Sequence, residues 1–259
     1  MTVEVSIDPR GVATLALARP GKRNAMDRPT IDALHEAARR LGADPAVRAV
    51  VLTGQGAAFC AGGDLNWMRE QMDASPKARA EGARALAEML GALDALPKPL
   101  IGRINGDAFG GGVGMACVCD VSVASDEARF GLTETRLGLI PATIGPYVIA
   151  RLGPKARRVF MAPRLFGAGE AAELGIVARA VPASDLDREV EAEIAPYLDA
   201  APGAVASAKA LARHLGHSPD PSQIEHSVAE LVKRWETSEA RDGIAAFFDR
   251  RPPPWSNER

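Results

Sequence analysis

The sequence predicts an α/β fold of short β-β-α units followed by a helical C-terminal region. Three observations predict it. Apolar runs of strand type alternate with helical periodicity up to residue 181, Gly, Pro and Asp punctuate the junctions, and no strand pattern remains beyond residue 199. At 259 residues the chain sits at the upper edge of what one hydrophobic core organises, which favours one domain with an appendage over two equal domains. The expected division is a core over residues 1–198 and a helical region over 199–259.

Val3, Val5 and Ile7 alternate with polar residues, Asp8-Pro9-Arg10-Gly11 has turn chemistry, and residues 12–17 resume a strand, so the chain opens with a hairpin. Asp27 is placed to cap a helix with Pro29 in its first turn. Ile31, Leu34, Ala38 and Leu41 fall on one face of it, and Gly42 with Pro45 ends it. A buried strand follows at 47–53. After a glycine-rich loop, Asp64 caps a helix reaching residue 72, residues 75–96 read as a longer one, and Pro97 and Pro99 close it before a strand at 100–104. Further strand sequence lies at 120–124 and 176–181, with helical sequence at 153–161 and 169–174 between them. Asp199-Ala200-Ala201-Pro202-Gly203 marks the change of character, after which helical stretches at 204–215 and 221–248 dominate. Ile224, Val228, Leu231, Trp235, Ile244 and Phe248 recur there at helical spacing. Such a face packs on the chain's own core or is buried between subunits.

Composition narrows the function classes. Hydrophobic residues make up 47% and charged residues 25%, and no charge-free apolar stretch approaches the roughly 20 residues of a membrane helix. A net charge of −2 from 31 basic and 33 acidic residues creates no global field for nucleic acid or anionic lipid, so a phosphorylated ligand has to be held locally. Cys60, Cys117 and Cys119 cannot form a closed disulfide framework and read as small buried thiols of a reducing compartment. Residues 1–19 carry Glu4 and Asp8 within β-type alternation, unlike a signal or transit peptide, and the protein is expected to be cytoplasmic.

Several active-site patterns are missing. Neither G-x-x-x-x-G-K-[ST] nor G-x-S-x-G occurs, and the run from Gly110 to Cys117 falls short of a dinucleotide fingerprint. His214 and His217 read as solvated helix histidines, nothing near Cys117-Val118-Cys119 completes a metal-ligand set, and no metal or redox cofactor is expected.

Two small-residue loops are more informative: Gly54-Gln55-Gly56-Ala57-Ala58-Phe59-Cys60-Ala61-Gly62-Gly63-Asp64 and Asn105-Gly106-Asp107-Ala108-Phe109-Gly110-Gly111-Gly112. Each follows an apolar strand and opens a helix. Small side chains there serve either a tight turn or the approach of a ligand to backbone N–H groups at a positive helix end. Two such loops converging would make an oxyanion hole.

These loops belong to a longer collinear set. Arg19-Pro20, Arg23-Asn24-Ala25-Met26, Ala58-Phe59-Cys60-Ala61-Gly62-Gly63-Asp64-Leu65, Phe109-Gly110-Gly111-Gly112, Phe130-Gly131-Leu132-Thr133-Glu134 and Leu137-Gly138-Leu139-Ile140-Pro141 together resemble the enoyl-CoA hydratase/isomerase, or crotonase, family. The resemblance runs to Phe248-Asp249-Arg250-Arg251-Pro252 and Trp255. It implies a crotonase-like spiral of β-β-α turns, a C-terminal trimerisation region giving a homotrimer or a dimer of trimers, and an acyl-CoA thioester as ligand. It also implies that the N–H groups of Gly63 and Gly111 form the oxyanion hole, that Arg23, Ala25, Ala61, Asp64 and Leu65 contact CoA, and that Asn66 and Trp67 complete the substrate-binding set. Trp67 with Met68 is placed to wall the acyl pocket.

Glu134 aligns with the family's catalytic glutamate, which exchanges a proton with C2 of the acyl chain. Apolar Phe130, Leu132, Leu137, Leu139 and Ile140 flank it, and partial desolvation would raise its pKa toward neutrality. Gly114 stands where two-glutamate hydratases carry the second glutamate, and the space beside it is expected to be open to the acyl pocket. A single carboxylate suits an isomerase that moves a proton between C2 and C4. The segments Asp64-Leu65-Asn66-Trp67-Met68, Phe109-Gly110-Gly111-Gly112-Val113-Gly114 and Glu134-Thr135-Arg136-Leu137-Gly138-Leu139-Ile140-Pro141-Ala142-Thr143-Ile144 instead look like the bacterial methylglutaconyl-CoA hydratase branch. The leading expectation is therefore hydration of a branched 2-enoyl-CoA, with isomerisation second and a non-catalytic CoA-ester-binding protein third. Arg69, Arg103, Arg129 and Arg136 are candidate partners for a second substrate carboxylate.

Overall fold

The computed structural model describes residues 1–216 and 219–256, so His217 lies outside the described residues. β1 (Val3–Ile7) and β2 (Val12–Leu17) form the hairpin, with Val5 opposite Leu15. α1 (Arg28–Ala43) starts at Asp27, whose carboxylate accepts the Thr30 N–H at 3.0 Å.

The chain then winds through three spiral turns, each laying one strand in each of two sheets. β3 (Ala49–Gly54) and β4 (Ala58–Cys60) lead into α2 (Leu65–Asp73) and α3 (Pro76–Asp94). β5 (Leu100–Ile104) and β6 (Asp107–Phe109) lead into α4 (Gly111–Val118). β7 (Val121–Ser125) and β8 (Arg129–Gly131) lead into a 3₁₀ turn at Glu134–Leu137, α5 (Gly145–Leu152) and the short α6 (Arg157–Phe160). β9 (Phe166–Gly167), α7 (Ala168–Leu174), β10 (Arg179–Val181) and α8 (Leu186–Leu198) follow. α9 (Pro202–Leu215), α10 (Pro221–Trp235) and α11 (Ser238–Phe248) end the chain.

The larger sheet has the order β1-β2-β3-β5-β7-β10 and is parallel from β2 onward. The smaller has the order β4-β6-β8-β9, with only β9 antiparallel. All six residues of β3 are buried because both faces of the large sheet are covered. On one side Leu15, Leu52, Ile31, Met89 and Phe130 belong to the main core, and on the other Val12, Val51 and Ile101 pack under Leu186, Val190 and Ile194 of α8. The continuous apolar run that betrays β3 in the sequence is thus a consequence of burial on two sides.

The small sheet, α5 and α8 are not among the elements read from the sequence, and of α4 only the start, after the second glycine loop, is read. Strands of two or three residues are shorter than any alternation that could reveal them, and α4, buried at every position, has no polar face to give a helical period. The helical stretch expected at 221–248 is two helices, because the Thr237 hydroxyl accepts the Ala240 N–H and starts α11 anew.

The apolar face of the last two helices packs largely on the chain's own core. α11 lies against the turn that carries Glu134: a Cβ on Gly243 would stand 2.6 Å from the Leu137 carbonyl carbon, and Gly138, at φ +73°, would place one 2.3 Å from the Glu239 oxygen. Arg234 donates from Nε and Nη2 to the Gly138 carbonyl at 3.0 and 2.6 Å. The C-terminal region therefore buttresses the site as well as ending the fold. Among the described residues no helix is long and apolar enough to cross a membrane.

Candidate active site

A cavity of about 400 Å³ opens where the loops after β4 and β6 meet the turn after β8. The first loop is fixed by Met26, which forms an isolated parallel bridge with Gly63. Met26 N–H donates to the Gly62 oxygen and Asp64 N–H to the Met26 oxygen, both at 2.8 Å. Successive amides of extended backbone point to opposite sides, so the Gly63 N–H faces away from Met26 and toward the cavity it lines.

The second loop turns through Gly110 at φ +49° and starts α4 at Gly111. The first hydrogen bond of α4 runs from Gly114 N–H to the Gly110 oxygen at 3.1 Å, leaving the Gly111 N–H among the helix's free first-turn donors. The loops and the carboxyl converge. A Cβ on Gly110 would lie 3.0 Å from Glu134 Oε1 and 4.0 Å from Gly62 Cα, and one on Gly62 would lie 3.2 Å from the Phe109 oxygen.

Among the described residues Glu134 is the only carboxylate on the cavity wall. Leu137, Leu139 and Ile140 line the wall with it, whereas Phe130 and Leu132 lie behind it in the core. Its Oε2 is buried without a hydrogen-bond partner, although part of the residue stays accessible from the cavity. Desolvation pushes its pKa from 4.5 up to about 7, against the smaller opposing effect of its own backbone N–H. A carboxyl so poised exchanges protons readily near neutral pH, beside two backbone donors able to hold an oxyanion.

The sequence-derived binding residues divide into two groups. Ala61, Gly63, Leu65 and Trp67 reach the cavity, and a Cβ on Gly63 would lie 3.9 Å from Trp67 Cε3 and 3.7 Å from Met68 Cγ. Arg23, Ala25, Asp64 and Asn66 do not line it. Asp64 accepts the Asn66 N–H at 2.9 Å to cap α2 and the Arg19 Nη2 at 2.9 Å. Burial alone would raise the Asp64 pKa, but the Asn66 amide and the Arg19 guanidinium outweigh it and hold the carboxyl below its ordinary value. Asn66 itself is exposed. Arg23 pairs with Asp107 at 2.6 Å while its carbonyl accepts the Ala61 N–H at 3.0 Å, and the Ala25 carbonyl accepts from Arg19 Nη1. These four hold the Gly63 loop from behind.

The space beside Gly114 is filled, contrary to the expectation from sequence. A Cβ there would meet Ile144 Cγ2 at 2.7 Å and Ile144 Cβ at 3.0 Å, so a cavity-lining isoleucine occupies the ground that a second glutamate would need. A branched side chain thirty residues away decides the matter, and no local spacing reveals it. Gly114→Glu is therefore expected to lower the thermal midpoint and the turnover together, since it combines overpacking with a buried carboxylate; calorimetry and steady-state kinetics on the variant check this.

Of the four candidate arginines only Arg136 lines the cavity, with Nη2 donating to the Pro163 carbonyl at 2.9 Å. Arg103 pairs with Asp187 and Arg129 with Asp107, each at 2.6 Å, and Arg69 stacks 4.1 Å above Phe248. Sequence reasoning missed Arg79, Gln71 and Phe247 on the wall. Arg79 had a usable signal, because it shares the helical face of Ala83, Leu86 and Leu90, where a lone cation is out of pattern.

Comparison with known proteins gives a consistent match. The family model described as enoyl-CoA hydratase/isomerase matches residues 8–258. The enoyl-CoA hydratase AKT6-1 of Alternaria alternata is 34% identical over 92% of this chain and 78% of that protein. A hydroxycinnamoyl-CoA hydratase-lyase of Pseudomonas fluorescens is 37% identical over 76% of this chain and 72% of that protein. The crystal structure of an enoyl-CoA hydratase from Mycobacterium avium superposes with a TM-score of 0.85 at 30% identity, covering 98% of this chain and 99% of that one.

Proposed function

The chain belongs to the enoyl-CoA hydratase/isomerase family, and we propose that within it this protein hydrates a branched 2-enoyl-CoA of glutaconyl type, such as 3-methylglutaconyl-CoA. The observation that carries this reading is the unpartnered Oε2 of Glu134, the one carboxylate that the described residues place on a wall shared by two glycine loops.

The thioester oxygen sits between the N–H groups of Gly63 and Gly111, and the CoA arm leaves past Ala61 and Leu65. Ionised Glu134 takes a proton from water as its oxygen bonds to C3. The C2–C3 π pair moves onto the thioester as an enolate, whose oxyanion the two N–H groups stabilise. The enolate then collapses as Glu134 returns a proton to C2, so the elements of water are added and the carboxylate is regenerated. This sequence draws on no metal or redox cofactor. Because Ile144 leaves Glu134 unaided, the cycle needs the ionised form, and kcat/KM is expected to rise with unit slope to about pH 7 and level off above it. A pH profile with a saturable substrate checks that limb.

The branched, dicarboxylic substrate is supported by the motifs around Asp64 and Glu134 and by Arg136, the one of the four candidate arginines that lines the cavity. The single carboxylate also favours a second reading, isomerisation between 3-enoyl and 2-enoyl esters. Incubation with 3-methylglutaconyl-CoA, crotonyl-CoA and a 3-enoyl-CoA separates them: the 3-hydroxy product from the branched ester is expected to form with the highest kcat/KM, and double-bond migration alone would favour the isomerase.

We place the protein in the cytoplasm as a homotrimer or a dimer of trimers, with residues 199–259 as the assembling region. α9 supports this, because it buries none of its own residues and exposes Leu211 and Leu215.

A further inference from the structure

The cavity does not end at the reacting groups. It continues along α3, whose wall residues Leu86, Ala83 and Arg79 lead away from Leu90, itself 3.6 Å from where a Gly114 Cβ would lie. The seven helical steps from Leu86 to Arg79 span about 10 Å of helix, room for a chain of roughly eight carbons. At the far end the side chain of Arg79 is only 9% exposed. Its Nε and Nη2 donate to the carbonyls of Gln71 and Met72 at 2.7 and 2.8 Å, in the last turn of α2. Its guanidinium carbon lies 5.6 Å from the Trp235 ring, and Nη1 is paired with Glu236, the residue that caps the end of α10.

We propose that the Arg79–Glu236 ion pair is the end wall of the acyl pocket and sets the longest acyl chain the enzyme accepts. The inference rests on an acyl-CoA ligand and is independent of the branched, glutaconyl-type substrate. An apolar chain end reaching the pair gains nothing from it and has to strip charge pairing to pass, so the chain stops there. The two halves are unequal. Arg79 lines the cavity and stays held by the α2 carbonyls and Trp235 when its partner leaves, whereas Glu236 lies outside the lining, behind Arg79, with its side chain 54% exposed. Removing Glu236 therefore opens the pocket without dismantling α2.

Binding of saturated acyl-CoA esters tests this without requiring turnover. Titration calorimetry with butyryl-, octanoyl- and dodecanoyl-CoA gives Kd ratios for the wild type and two variants. Glu236→Ala is expected to improve the dodecanoyl-to-butyryl preference about tenfold, the worth of about two further buried methylenes. Ala83→Leu, which narrows the channel before the wall, is expected to reduce the octanoyl-to-butyryl preference by a similar factor. Should Glu236→Ala fold poorly, the isosteric Glu236→Gln is expected to move the dodecanoyl preference in the same direction by a smaller factor. A ratio unchanged within about twofold in the Glu236 variants, or equal weakening of all chain lengths, overturns the proposal and leaves the pair a fold-stabilising contact. An Ala83→Leu variant that weakens butyryl as much as octanoyl binding overturns it too, since the chain would then not run along α3.

Discussion

Glu134→Gln is expected to lower turnover of the 2-enoyl-CoA substrate by about 10²–10⁴-fold while leaving Kd for a saturated acyl-CoA within about twofold. The amide keeps the shape of the carboxyl and loses the proton exchange. Retention of more than about half the activity would remove Glu134 from the mechanism. The same substitution is expected to stabilise the fold. Burial raises the folded-state pKa from 4.5 to about 7, so ionisation works progressively against the folded state as pH rises between those values and in full above them. The variant's thermal midpoint should exceed that of the wild type at pH 8, and the two should converge below pH 4.5. Loss of activity joined to gain of stability is the signature of a group held in an unfavourable place for its chemistry.

The second large effect concerns a backbone donor that no ordinary side-chain change can remove. Gly111→Pro deletes the N–H at the first position of α4, where proline's fixed φ suits a helix, and is expected to reduce kcat by about 10²–10³-fold. Gly111→Ala supplies the control. Both side chains meet Met26 Cε, 2.2 Å from the ideal Cβ position, and both must swing that flexible methyl aside. Only the proline removes the donor, so the ratio of the two kcat values separates the loss at the amide, donor and ring Cδ together, from the Cβ crowding that both share. Equal losses in the two variants would show that Gly111 matters for space alone.

Much of this site was legible before the fold was known, and for identifiable reasons. The hairpin, α1 and the strands of the large sheet show in the sequence because periodicity and caps act within a few residues, as with Asp27 and Thr30. The two glycine loops show because close backbone approach demands small residues in sequence, whatever the rest of the chain does. What stayed hidden was decided at long range. Ile144 fills the space beside Gly114, Arg79 reaches Glu236 across 157 positions, and α11 supports Gly138 from about a hundred residues downstream. Arg23, Ala25, Asp64 and Asn66 carry the motif from outside the cavity lining, and their contacts within the chain, which no motif reveals, fix the Gly63 loop.

The central claim is that one buried carboxyl, Glu134, performs both proton movements of a hydration. Turnover of the branched 2-enoyl-CoA in water labelled with ¹⁸O and deuterium, followed by mass spectrometry of the product, tests it most directly. The expected product is a 3-hydroxyacyl-CoA with one ¹⁸O at C3 and one deuterium at C2, formed by the wild type and not by Glu134→Gln. A product that has moved its double bond without taking up ¹⁸O, or labelled hydroxy product formed equally fast by Glu134→Gln, would contradict it.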